Sequence, residues 1–401
     1  MIRTTIIGCI LLLFYQQGIS QIQPGTNDEL LQQLLSDKDR KLDQILNDPS
    51  RYQFQLIYVR VKENKQGRVE LEKHSLFEDK YYFNPASLIK LPLAVVALEK
   101  LSNLKKSGID LNTPMSINTC SCDFDTDDYV KKSKNPSLGQ FLREMMIMSD
   151  NDAYNLYYDF TGKDYFNTRM QELGYKNIIM RKHFTSRCTD EENNITGGID
   201  FMHEGESFFH LPCDTSHQIF TTDSSLPVKA GTSFLENGWV ITGAKDFSNG
   251  NYVRLSEVTD LMIRLFFPDD NSNPKLQMDE QNRKFLLDAM DDYPRDLKNY
   301  AISTEKKPDN LYRYFMDEEK LSEDMHVYNK VGQSGGFISD VSYIEDKKNH
   351  IRFFLSASML AKKSNVINDG NNNYKDFGFP VFSEIFQQIY KFELEEASKK
   401  K

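Results

Sequence analysis

The chain has 401 residues, 39% of them apolar, and a formal charge of −10, with no basic block apart from Lys399, Lys400 and Lys401. That length and composition suffice for a sizeable core, in one large domain or two smaller interleaved ones. The acidic balance argues against nucleic acid as a partner, and no segment after residue 20 approaches the roughly 18 to 20 apolar residues of a membrane span.

The N-terminus, MIRTTIIGCILLLFYQQGISQIQPG, places Arg3 before an apolar run from Ile6 to Tyr15, with Gly18 and Ser20 just ahead of Gln21. This is a secretory signal pattern over residues 1–20. Cys9 sits too early for lipid attachment, because LLLF still follows it. A soluble, exported chain from residue 21 onward is expected, periplasmic or extracellular.

Leu30, Leu31, Leu34, Leu42 and Ile45 then fit one amphipathic helix ending near Asp48 and Pro49. YQFQLIYVRV and VELEKHSL alternate around a turn at 63–67, which predicts a β-hairpin over about 52–76. From Pro85 to about Leu321 the signals are mostly helical, in SLIKLPLAVVALEKL, PSLGQFLREMMIMS, NDAYNLYYDF, DYFNTRMQELG, RLSEVTDLMIRLFF and NRKFLLDAMDD. Polar loops separate them, the longest from Asn177 to Asn251. β patterning returns in HVYNKVG, GFISDVSYIED and HIRFFLSASML, and FPVFSEIFQQIYKFELEE closes the chain as a helix.

Strands at both ends around a helical middle predict an α+β fold. A five-stranded antiparallel sheet is built from both chain ends, flanked by the terminal helices, with an all-helical region inserted between strands two and three. A cleft is expected where sheet and helical region meet.

Beyond the leader stand Cys120, Cys122, Cys188 and Cys213, which in an oxidising compartment allow three full pairings. Cys120 and Cys122 are too close to favour each other, and Cys-x-Cys without a histidine pattern is poor zinc spacing. Calcium-loop readings of 123–134 and of 269–280 fail at the sixth position, where glycine is needed. The seven histidines are scattered. No metal and no cofactor is expected.

Ser-x-x-Lys occurs at Ser87, Ser102, Ser272, Ser303 and Ser398, so the pair alone carries no chemistry. Ser87 alone follows strands and opens a long apolar helix. In a first helical turn, residues three apart share a face, so the Lys90 amine can lie near the Ser87 hydroxyl. A buried lysine near a second cation can serve as a general base. The plain reading is that Ser87 caps the helix and Lys90 is solvated.

Two further segments shift that balance. Ser149-Asp150-Asn151 precedes a helix that places Asn155 on the same face as Asn151, and Lys330-Val331-Gly332 lies on a strand ahead of Gly335 and Gly336, where missing side chains let a ligand approach the backbone. In this order the three segments resemble the penicillin-recognising serine hydrolases, most closely the class A β-lactamase catalytic domain, with S-x-x-K, S-D-N and K-[TS]-G. The second extends to S-D-N-x-A-x-N-L through Ala153, Asn155 and Leu156. The sheet–helical–sheet order is also that family's architecture.

The resemblance implies one catalytic domain over 21–401, with its sheet part about 25–84 and 322–401 and its helical part about 85–321. It implies that Ser87 attacks a carbonyl to form an acyl-enzyme, with Lys90 as base and Ser149 relaying a proton to the departing nitrogen. Asn151 would hold a substrate amide, Lys330 would attract a substrate carboxylate, and Gly332 would belong to the same substrate-binding set. The N–H groups of Ser87 and Gln333 would hold the oxyanion, each worth about 3 to 4 kcal/mol. The implied partner is a small molecule or peptide bearing a carboxylate; the oligomeric state stays open.

Two departures qualify this. Val331 removes the hydroxyl of K-T-G or K-S-G, which weakens recognition of penicillin-like acids. The family's deacylating glutamate stands about 36 residues after the S-D-N serine, and here that separation falls in HFTSRC, at Thr185 and Ser186. Glu191 and Glu192 are the nearest candidates, and acidic pairs in loops are usually just solvated. Acylation is thus expected more firmly than turnover, and a peptidase or esterase, or a binding protein without turnover, are the alternatives.

Overall fold

In the computed structural model, residues 28–399 are described apart from 65–66, 119, 121–125, 185–187, 223–225, 269–273, 299, 301–303, 305 and 319. The leader, Cys9, Cys122, Thr185, Ser186 and, from the two calcium-loop readings, residues 123–125 and 269–273 lie outside the described residues.

Strand β1 (Gln55–Glu63) alternates Leu56 and Tyr58 with Ile57 and Val59, and each pair is buried in a different core. Period-two burial on both faces means layers on both sides of the sheet. With β2 (Val69–Leu76), β3 (Met325–Ser334), β4 (Phe337–Asp346) and β5 (Ile351–Leu360) it forms a five-stranded sheet ordered β3-β4-β5-β1-β2, every neighbour antiparallel. Gln55 pairs with Ser358 and Leu56 with Leu76, so the two chain ends meet along β1. The expected α+β architecture is present.

One face is covered by α1 (Glu29–Leu35), α2 (Arg40–Asn47) and the C-terminal helix Phe379–Ser398, whose Leu31, Leu42, Phe382 and Ile385 pack with Leu355 and Met359 of β5. The single helix expected over 30–48 is two. Asp39 accepts from Lys41 N–H and Leu42 N–H at 2.7 and 3.1 Å, and Asp37 takes a left-handed backbone (φ 55°). The capping carboxylate offers the backbone an alternative to continuing the first helix.

The other face carries α3 (Lys90–Leu104), α4 (Leu138–Ile147), α5 (Asn151–Thr161), α6 (Lys163–Glu172), α7 (Leu255–Phe266) and α8 (Glu280–Asp291). α3 is buried almost all round, as expected of a helix apolar on every side. Its buried Glu99 is held by Arg169 through two hydrogen bonds of 2.7 and 3.1 Å. A bidentate guanidinium satisfies a charge that burial would otherwise make costly.

The inserted region is not all helical, which corrects the expectation. Met115–Asn118, Gly198–His203 and Glu206–Leu211 form a three-stranded sheet, and Ser233–Glu236 pairs with Trp239–Thr242 on one side and with Val366–Ile367 on the other. Both hairpins turn on two residues with positive φ, Glu204-Gly205 and Asn237-Gly238. Those turns match the twist of antiparallel strands. A Cys120–Cys213 disulfide joins the ends of this small sheet, and Cys188 is also disulfide-bonded. Among the described residues no helix is long and apolar enough to cross a membrane.

Candidate functional site

Ser87 lies in a single 3-10 turn, Ala86–Ile89, that runs directly into α3. The turn is fixed locally: Asn84 Oδ1 accepts from Ala86 N–H at 3.0 Å and Pro85 O accepts from Leu88 N–H at 2.9 Å. Ala86 has φ 44° and Ser149 has φ 54°. A left-handed conformation costs an L-residue about 1 to 2 kcal/mol, and such strain concentrates at functional sites.

Lys90 is fully buried and its amine lies 3.1 Å from Ser87 Oγ, 2.6 Å from Ser149 O and 2.7 Å from Asn151 Oδ1. An ammonium would spend all three N–H groups on these acceptors. A neutral amine keeps two, enough for Ser149 O and Asn151 Oδ1, and turns its lone pair toward the Ser87 hydroxyl. Burial, and then the second amine of Lys330, hold Lys90 well below the usual lysine range.

Lys330 is 1% exposed and donates to Ser149 Oγ at 2.9 Å; the same hydroxyl is 3.5 Å from the Lys90 amine. Burial pushes Lys330 down to about 7, against the pull of Asp340. Ser87, Lys90, Ser149, Asn151 and Lys330 are therefore one hydrogen-bonded chain. The Ser149 backbone is held by α4, where Glu144 O accepts from Met148 N–H and Asp150 N–H, and Asp150 caps α5.

Gly332 brings β3 against the serine turn. A Cβ there would stand 2.1 Å from Pro85 O and 2.7 Å from Ser339 Oγ, so only glycine fits. Gln333 lies exposed at the strand end, its Oε1 accepting from Tyr314 O–H at 2.8 Å. Gly335 and Gly336, with φ 60° and 98°, form the tight turn between β3 and β4. Val331 is buried and pairs with Asp340, a fully buried carboxyl raised by burial to about 6 despite donors from Asn329, Ser342 and Tyr314.

Asn155 is buried, and its Oδ1 accepts from Phe184 N–H at 2.7 Å. The Phe184 ring stacks on Tyr154 at 4.2 Å between centroids and lies 5.2 Å from the Lys90 amine. Glu191 is exposed, and Glu192 accepts from Thr189 N–H at 2.7 Å as a local cap. Sequence reasoning did not single out Phe184, Tyr154, Tyr314 or Asp340. Phe184 had a signal: it stands one residue short of the separation at which a deacylating glutamate was sought.

With that geometry in view, residues 40–203 match the family model of the β-lactamase enzyme family. The span includes Ser87, Lys90 and Ser149 through Asn151. No curated protein matches the chain. Among solved structures it is similar to PBP-A, at 14% identity over 90% of this chain and 95% of that one, with a TM-score of 0.48. It is also similar to a β-lactamase from Burkholderia phymatum (12%, 90% and 97%, 0.49) and to the class A β-lactamase of the last common ancestor of Gram-negative bacteria (13%, 90% and 98%, 0.49).

Proposed function

We propose that this β-lactamase-like chain is a serine acyl hydrolase that opens a β-lactam or a related amide by forming an ester on Ser87. The observation that carries this is the buried Lys90 amine, 3.1 Å from Ser87 Oγ and depressed by burial and by Lys330. Lys90 takes the Ser87 proton as Oγ attacks the carbonyl carbon. Ser149, between the two amines, returns a proton to the nitrogen that leaves when the amide bond breaks. Asn151 orients the substrate amide, Gly332 lets the substrate-binding strand β3 lie against the serine turn, and the N–H groups of Ser87 and Gln333 hold the oxyanion.

A second reading, an ester or peptide acyl donor without a penicillin-like carboxylate, is favoured by the absence of a hydroxyl at Val331. Export is the expected location, which the leader pattern and the Cys120–Cys213 disulfide support.

The test is intact mass after incubation with a chromogenic cephalosporin and, separately, with an activated ester. An adduct on wild type that is absent in Ser87→Ala is the expected result. Acylation that survives Ser87→Ala would sink the mechanism.

A further inference from the structure

A cavity of about 440 Å³ opens on the side of the sheet that the terminal helices cover. That volume suits a small organic molecule, since ligand pockets run from roughly 300 to 1,000 Å³. Two rings line its apolar wall: Tyr52, which ends the short helix Pro49–Tyr52, and Phe377, in the segment that joins β5 to the C-terminal helix. Their centroids are 5.3 Å apart, and both belong to the core on this face, whereas Leu88, Ile89 and Leu91 around the serine turn belong to the other. The cavity is therefore separate from the Ser87 site.

Three cations line it, and they are not alike. Lys362 is buried and spends its amine on Asp369 and on Asn372 Oδ1 at 3.1 Å, so its charge is already neutralised within the fold. Arg51 places its guanidinium 5.4 Å from the centre of the Tyr52 ring and gives one N–H to Lys363 O at 3.3 Å. The rest of its fork is unspent. Lys363 is exposed, and among the described residues no acceptor takes its ammonium. Asp48 is the one described carboxylate in the lining, and its Oδ1 is engaged as a helix cap by Arg51 N–H at 3.2 Å and Ser50 O–H at 3.0 Å. In a chain of charge −10, two uncommitted cations thus meet beside a pair of rings.

We propose that this cavity binds a small organic anion, a planar ring carrying a carboxylate or a phosphate. The ring lies against Tyr52 and Phe377, where aromatic faces and edges favour another flat ring. The anionic group meets Arg51, whose planar fork matches two oxygens of a carboxylate or phosphate, and Lys363 adds a point charge. The site is independent of the chemistry proposed for Ser87.

The experiment is calorimetric titration of the full chain with phenyl phosphate, benzoate, inorganic phosphate and neutral benzyl alcohol. At least one of the two aromatic anions should bind with a Kd of about 1 mM or tighter, and the tighter of them names the group. Inorganic phosphate and benzyl alcohol, each lacking one half of the ligand, should bind at least about tenfold more weakly. Arg51→Gln and Lys363→Ala should each weaken the aromatic anion about five- to tenfold, and added salt should weaken it further. Lys363 is exposed, so its variant reports on binding without disturbing the core. No binding of either aromatic anion at roughly ten times the expected Kd, an affinity unchanged in both variants, or inorganic phosphate binding as tightly as phenyl phosphate would overturn the proposal. Binding that is lost in Lys330→Met and kept in Arg51→Gln and Lys363→Ala would place the anion beside Ser87 and overturn it equally.

Discussion

The strand β3 and the hairpin Ser233–Glu236/Trp239–Thr242 are both β structure lying beyond the first two motifs, yet they are built in opposite ways. In β3, residues 329–332 are buried, and Gly332 touches the serine turn through backbone atoms alone. In the hairpin, Trp239 is 77% exposed and Val240 65%. The proposed chemistry sits where backbone meets backbone and no side chain can adjust. The inserted hairpin has no such constraint, so its sequence is free to differ without moving Ser87.

The largest effect is expected from Gly332→Ala. A Cβ 2.1 Å from Pro85 O must part β3 from the serine turn. A displacement near 1 Å should slow adduct formation about a hundredfold, and the overpacking should cost roughly 1 to 3 kcal/mol. Adduct formation at the wild-type rate, read by mass, would break the contrast between the rigid strand and the tolerant hairpin.

A middle effect should come from Lys330→Met. Burial lowers the Lys330 amine to about 7, whereas an unfolded lysine titrates near ~10.4. Between those values the unfolded chain binds the extra proton, so this group makes the fold more stable as pH rises, and the cost of the buried charge is fully present below about 7. Lys330→Met should be about 1 to 3 kcal/mol more stable than wild type just below neutrality, with the advantage shrinking toward pH 10. Urea unfolding at several pH values measures it, and the same variant should lose adduct formation. Asp340, raised to about 6, works with the opposite sign between about 4 and 6, so the comparison is made above that window.

The smallest effect should come from Trp239→Ala. An exposed side chain that anchors nothing should change stability by about 0.5 kcal/mol or less and leave adduct formation as it was. A large loss would mean that the hairpin supports the site after all.

The five-stranded sheet was legible because its strands carry period-two patterning and the site because three motifs fall in a fixed order. What escaped was local. Asn237-Gly238 is a strong hairpin signal, but its strands are four residues each and Trp239, Val240 and Ile241 face solvent, so no apolar alternation surrounded it. The break at Asp37 was hidden because Leu34 and Leu42 keep helical phase across it while Asp39 caps a new start. Phe184 was not legible because an aromatic residue in a polar loop carries no pattern of its own, and its contact with Lys90 exists only in the folded chain.

The contact between Pro85 and Gly332 also fixes when the site comes into being. Ser87, Lys90 and Ser149 are made early, but β1 is flanked on one side by β5, and the serine turn is backed by β3. Residues 325–360 must emerge and pair before Ser87 has its wall or its second amine, and closing such distant pairings is the slow step in assembling a sheet. A nascent chain halted before β3 would carry the serine in its sequence without that wall or second amine, and under the proposed chemistry it would form no adduct.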